Sequence, residues 1–152
     1  MANIQIIVGS MLGGTEYVAE ACEEALNELD LQTELHFQPN YSQIAKNKVT
    51  WLICTSTHGA GDYPDNIQAF VSELETSNND LSSINFCVLG TGDSNYDTFC
   101  YAAKNISKLL ISMGCNEIIP LKTLDSLSEE DPEEIANLWV KANKDLFIQS
   151  CQ

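Results

Sequence analysis

Ile4-Gln5-Ile6-Ile7-Val8-Gly9-Ser10-Met11-Leu12-Gly13-Gly14-Thr15-Glu16 is the stretch whose reading decides the fold. Its apolar run stops at Gly9, which predicts a short buried strand. A turn rich in glycine and hydroxyl groups follows. From residue 15 to 29, apolar side chains then recur at Val18, Ala21, Cys22, Ala25 and Leu29, the spacing of one helix face. The same strand–turn–helix alternation continues down the chain. Residues 32–37 predict a second strand, at a sheet edge because Gln32, Glu34 and His36 interrupt it. Val49–Cys54 predicts a central third strand, and 66–76 a helix with Ile67, Phe70, Val71 and Leu74 inward. Ile84–Leu89 predicts a fourth strand. Residues 98–113 read as a helix burying Phe99, Ala103, Ile106, Leu110 and Met113, stopped by Gly114. A fifth strand falls at 116–121 and a polar loop at 122–131, while 38–48 is a connection of no defined form. Asp131-Pro132-Glu133-Glu134 then supplies an N-cap, a Pro at the first helical position and early Glu residues. It opens a last helix with Ile135, Leu138, Trp139, Ala142 and Leu146 inward. Five alternations predict an α/β fold, one domain over 1–152, with an open parallel sheet covered on both faces.

Composition bounds the function. The 152 residues hold 44% hydrophobic side chains, enough for a core and too many for disorder. All seven basic residues are Lys, against 22 acidic ones, for a formal net charge of -15. That surface repels nucleic acid and anionic membranes. It offers no guanidinium for a phosphate, so any phosphorylated ligand must be held by backbone N–H groups and hydroxyls. The charge serves solubility, steering toward a basic partner, or both. Met1-Ala2-Asn3-Ile4 lacks a basic leader, and no stretch approaches a membrane span, so a cytoplasmic protein is expected. The six Cys form no C-x-x-C pair and no metal spacing with His36 and His58; Cys54 and Cys87 read as core.

In an open α/β sheet, ligands sit beyond the carboxyl ends of the strands. The turns after strands one, three and four are therefore the candidates. The first, Ser10 to Thr15, lets the backbone approach a ligand at Gly13 and Gly14 and presents a helix N-terminus to an anion. It is equally an ordinary turn with Thr15 as N-cap. It lacks G-x-x-x-x-G-K-[ST] and G-x-G-x-x-G, which removes a triphosphate loop and weakens a dinucleotide site. The second turn is Ser56-Thr57-His58-Gly59-Ala60-Gly61-Asp62. The third is Gly90-Thr91-Gly92-Asp93-Ser94-Asn95-Tyr96-Asp97. Tyr96 lies outside any apolar stripe. Its ring suits a planar ligand, a stacking contact worth about 0.5–1.5 kcal/mol by analogy with aromatic pairs; otherwise it packs on its own turn. No Ser/His/Asp set or carboxylate pair suggests a hydrolase.

With all three turns in order, the chain resembles the flavodoxins over nearly its full length, most closely the short MioC-type proteins that bind flavin mononucleotide (FMN). It is also similar to the FMN domains of sulfite reductase and related diflavin reductases. The resemblance implies strand order 2-1-3-4-5. It implies that Ser10, Met11, Leu12, Gly13, Gly14 and Thr15 wrap the FMN phosphate. Ser56 and Thr57 would lie by the phosphate and ribityl chain. His58, Gly59, Ala60 and Gly61 would border the inner face and N5 edge. Gly90, Thr91, Gly92, Asp93, Asp97, Phe99 and Cys100 would line the pyrimidine side, with Tyr96 stacked on the outer face. Phe99 and Cys100 are alternatively core. Two residues depart from the usual pattern: His58 stands where many flavodoxins have Trp, and Gly13-Gly14 replaces a Gly-Asn.

The implied activity is single-electron transfer without catalysis of its own, from a flavodoxin/ferredoxin-type NADPH reductase to an acceptor redox enzyme such as biotin synthase. Binding one redox state tenfold tighter than the next shifts a one-electron potential by about 59 mV. Gly59 can turn its carbonyl toward a proton at N5, and Asp62, Asp93 and Asp97 disfavour an anionic reduced flavin. His58 beside the ring would couple the potential to pH. Rival readings are an FMN-dependent NAD(P)H:quinone oxidoreductase and a flavin-free regulatory module on the same fold. The chain is expected to be a monomer or a weak dimer.

Overall fold

The computed structural model describes residues 3–11 and 13–152. Its centre is a parallel sheet of β1 (Ile4–Gly9), β2 (Thr33–His36), β3 (Thr50–Thr55), β4 (Asn85–Gly92), β5 (Asn116–Glu117) and β6 (Lys122–Asp125). The order is β2-β1-β3-β4-β5, with β6 also beside β4. The expected order 2-1-3-4-5 is therefore the observed one. β1 and β3 are buried at every position. This is why they read as continuous apolar runs rather than as alternations.

Successive side chains of each strand feed opposite faces. Ile4, Ile6 and Val8 of β1, with Leu52 and Cys54 of β3, face α1 (Gly14–Glu28) and α4 (Pro132–Ala142). Ile7, Trp51, Ile53, Phe86 and Val88 face α2 (Asp65–Glu75) and α3 (Tyr101–Ser112). The inward residues expected of α2, Ile67, Phe70, Val71 and Leu74, are all buried. Cys54 and Cys87 are core residues, as expected; a hydrogen bond with Cys22 together with burial holds the Cys54 thiol, and burial the Cys87 thiol, well above the ordinary pKa. Gly114 ends α3 at φ +93°, and Asp131 caps α4 by accepting from the Glu133 N–H.

Three expectations need correction. The fifth strand is split, and its second half lies in the stretch read as loop. Asn85 pairs with Asn116 but Leu89 with Lys122, so the register slips by two residues between β5 and β6. Pro120 sits in the slip and brings no N–H to the ladder. The last helix is also broken, at Asn143, with α5 (Lys144–Ser150) following. Its buried face is Ala136, Val140 and Phe147, while Leu138, Ala142 and Leu146 are exposed. α4 lies along α1 through its smaller side chains, which admit close approach. Finally, α1 is capped at Gly13 (φ +88°), not at Thr15.

Gly90 shows how tightly α3 seats on the sheet. A Cβ there would lie 2.6 Å from the Ala103 Cβ and 3.4 Å from the Cys100 Sγ. Gly90→Ala should therefore destabilise the chain by about 1–3 kcal/mol in urea unfolding, and adding Ala103→Gly should recover part of that loss. An unchanged midpoint in the single variant would contradict this packing.

Candidate functional site

The site begins with register. Gly9 pairs with Thr55, Thr55 with Gly90, and Gly90 with Thr123. The carboxyl ends of β1, β3, β4 and β6 therefore open on one rim. Two cavities lie there. The larger, about 460 Å³, is lined by Ser10, Met11, Gly14, Thr15, Ser56, Thr57, His58, Thr91, Gly92 and Asp93, together with Val18, Leu124, Asp125, Ser126 and Pro132. The smaller, about 320 Å³, is lined by Thr57, Gly59, Gly92, Asp93, Tyr96, Thr98, Phe99 and Cys100. They share Thr57, Gly92 and Asp93, and so form one continuous trough.

Most of the sequence-derived site residues are thereby brought together. Five lie off the trough wall. Gly13 is the α1 cap, with open space around its absent side chain. Ala60 lies exposed at the tip of the second turn. Gly61, at φ +114°, is packed against Tyr101. Gly90 is buried under α3, and Asp97 is exposed and lines neither cavity. Leu12 lies outside the described residues. Phe99 and Cys100 do both things foreseen for them, lining the smaller cavity while packing into the core.

Each turn is held by a neighbour. The Thr15 and Thr91 hydroxyls hydrogen-bond at 2.8 Å, joining the first turn to the third. The Ala102 N–H donates to the Thr57 hydroxyl at 3.1 Å, tying the second turn to α3. The second turn also closes on itself, since the His58 N–H donates to the Asp62 carbonyl and the Asp62 N–H donates back, both at 2.8 Å. Gly59 occupies the tip at φ +54°. Cys100 enters α3 at φ +55°, a left-handed conformation unusual for a residue with a side chain. Burial pushes its thiol up to about 11, so it is an inert wall rather than a nucleophile. Tyr96 is 67% exposed over the smaller cavity.

The fourth wall was not foreseen. Leu124, Asp125, Ser126 and Pro132 belong to the end of β6 and the start of α4. The Ser126 N–H donates to the Gly92 carbonyl at 2.7 Å. Asp125 Oδ1 accepts from the N–H groups of Ser94 (3.2 Å) and Leu127 (3.0 Å); hydrogen bonding by the Ser94 side chain first, and then by these N–H groups, holds its carboxyl below the usual range. The signal available in sequence was Leu124 as the lone apolar residue among polar neighbours, followed by Asp-Ser at a turn.

Donors without a partner also converge on the trough. Among the described residues, the Gly14 and Thr15 N–H groups find no acceptor, as expected of a helix's first turn. A Cβ at Gly14 would meet nothing within 4 Å. Such a space, ringed by N–H groups and hydroxyls and free of cationic side chains, accepts a phosphate through neutral donors. The second half of the trough, roofed by an exposed Tyr ring, accepts something flat. A phosphorylated planar molecule fits both halves.

Comparison with known proteins agrees. The flavodoxin family profile matches residues 6–139. The chain belongs to the flavodoxin family. It is 42% identical over 138 residues to the MioC homolog of Haemophilus influenzae, covering 91% of this chain and 94% of that protein. It is 32% identical over 124 residues to the NADPH sulfite reductase flavoprotein alpha-component of Thiocapsa roseopersicina, covering 79% of this chain but 23% of that one. A point variant of the Pseudomonas aeruginosa flavodoxin superposes with a TM-score of 0.87 at 25% identity, covering 95% of this chain and 98% of the other. Flavodoxins bind FMN and carry electrons rather than catalyse a reaction of their own.

Because the folded Asp125 pKa is lowered, its contribution is present at neutral pH and above the unfolded carboxylate range. It is lost as pH falls through the folded value. Amide exchange at Ser94 and Leu127 should accelerate selectively in Asp125→Asn at pH 7. The two proteins should converge under acid conditions; equal exchange at pH 7 would refute the cap.

Proposed function

We propose that the trough holds one FMN and that the chain passes single electrons from a flavodoxin/ferredoxin-type NADPH reductase to an acceptor redox enzyme. The observation that carries this reading is the joining of the two cavities at Thr57, Gly92 and Asp93. One cavity ends on the N-terminus of α1 and the other beneath Tyr96. When bound, FMN supplies one-electron redox chemistry, and the protein sets its potential through contacts and charge.

On this reading the Gly14 and Thr15 N–H groups, with the Ser10, Thr15 and Ser56 hydroxyls, bind the phosphate. Thr57 and Thr91 orient the ribityl chain, and Asp125 and Ser126 close its far side. Tyr96 covers the outer face of the ring. Gly59, free at its turn tip, can aim its carbonyl at N5 and hold a proton there. Asp62 and Asp93 surround the ring edge with negative charge and resist the gain of a second one. His58 stands on the trough wall where it shields the inner face. The acidic surface steers a basic partner to this rim. The NADPH-named sulfite reductase relative supports a nicotinamide-fed donor, while an iron–sulfur acceptor such as biotin synthase is the part of the proposal that rests on the family resemblance alone.

Two measurements test the reading. In an anaerobic potentiometric titration, the second one-electron couple of the FMN-loaded chain should lie below that of free FMN. Asp93→Asn should raise it; a couple at or above the free value would sink the electrostatic account. The second test uses Gly14, which nothing in the protein itself obliges to be glycine. Gly14→Ala should leave the flavin-free chain as stable or up to about 1 kcal/mol more stable. The same change should weaken FMN binding. Unaltered FMN affinity would move the phosphate away from α1.

A further inference from the structure

β2 stops at His36, opposite Ile7. Continuing the register would set residue 38 beside Gly9, but the chain has already turned away after Phe37. The Gly9 carbonyl points to the β3 side, where it accepts the Ser56 N–H at 2.9 Å. The flanking Val8 carbonyl and Ser10 N–H therefore face the vacated β2 side, and both need partners. Asn66, in the first turn of α2, supplies them. Its Nδ2 donates to the Val8 carbonyl at 2.7 Å, and its Oδ1 accepts from the Ser10 N–H at 2.9 Å. One side-chain amide thus stands in for the N–H and C=O that one further residue of β2 would have supplied. The other Nδ2 proton goes to the Phe37 carbonyl at 3.0 Å, where the chain departs, so both donors are used.

We infer that Asn66 is a positioning residue for the FMN phosphate. It does not line the trough. Its effect runs through Ser10, the first residue of the phosphate turn. With the Ser10 N–H committed to Asn66, the peptide is fixed facing away from the ligand. The Ser10 hydroxyl then accepts from the Gly13 N–H at 3.1 Å, which sets the turn into α1. The preceding residue of α2 acts alongside it, since the Asp65 N–H donates to the Met11 Sδ at 3.3 Å. Two consecutive residues of α2 thereby fix two consecutive residues of the turn that aims the Gly14 and Thr15 N–H groups. The inference rests on the FMN reading above, and it makes α2 part of the phosphate site without touching phosphate.

The test separates the two phosphate-dependent claims. The full chain and Asn66→Ala are titrated with FMN and with riboflavin, which lacks the phosphate. FMN affinity should fall at least tenfold in the variant, about 1.4 kcal/mol. Riboflavin affinity should stay within twofold. Equal loss for both flavins would reduce Asn66 to a structural residue, and no loss for FMN would overturn the inference outright. An unmutated chain that binds neither flavin would instead sink the FMN reading. Should Asn66→Ala not fold, amide exchange in the unmutated chain decides. The Ser10 N–H should be protected without flavin and equally protected with FMN. Rapid exchange without flavin, or protection that appears only on FMN binding, would overturn the inference.

Discussion

The parallel alignment of Gly9, Thr55, Gly90 and Thr123 across the sheet is the constraint on which the site depends. Hydrogen-bond register fixes these residues in one row, and each strand ends within about two residues of it. Four turns then have to leave the sheet side by side. A slip in the central pairings would separate them and turn buried side chains outward, because side chains alternate along a strand. The apolar burial of β1 and β3 on both faces guards against such a slip. Core packing and cofactor geometry are in this sense the same requirement.

The turns themselves are polar and short of apolar contacts, so their shapes come from hydrogen bonds with neighbours. Thr15 with Thr91, Thr57 with Ala102, Ser94 with Asp125, and Ser126 with Gly92 make a chain of cross-links around the rim. This resolves an apparent conflict. On the proposed reading, a protein of net charge -15 holds a phosphate without any Arg. Charges spread over a surface are screened beyond about 8–10 Å in physiological salt. A hydrogen bond to a charged group contributes about 1.5–3 kcal/mol at contact distance. A few well-aimed donors outweigh the distant repulsion, provided the turn that carries them is rigid.

The central strands and the three glycine-rich turns were legible in sequence because their signals are local. Doubly buried strands read as apolar runs, and turns that meet a ligand concentrate glycine and hydroxyl side chains. The failures share a different cause. Leu138 and Leu146 are large and fall at helical spacing, yet the helix presents Ala136 and Val140 to the core. The break at Asn143 resets its phase. Close packing of two helices rewards small side chains, which hydrophobic spacing undervalues. β6 was hidden because Lys122, Thr123 and Asp125 are polar at a sheet edge, and its position depends on a slip around Pro120. The fourth wall of the site went with it. Asn66 carried no signal of its own, since its role exists only where β2 has left the sheet.

The divided edge has a consequence for the protein in a crowded solution. An exposed strand is a template onto which another chain can add. Here one edge is a two-residue strand, a slip at Pro120 and a four-residue strand that includes Lys122. The other is the four-residue β2, which carries Glu34. Neither offers a long flat ladder, and both bring charge to an incoming strand. The bulge that hid β6 from the sequence thus also denies the sheet a way to grow from one molecule into the next.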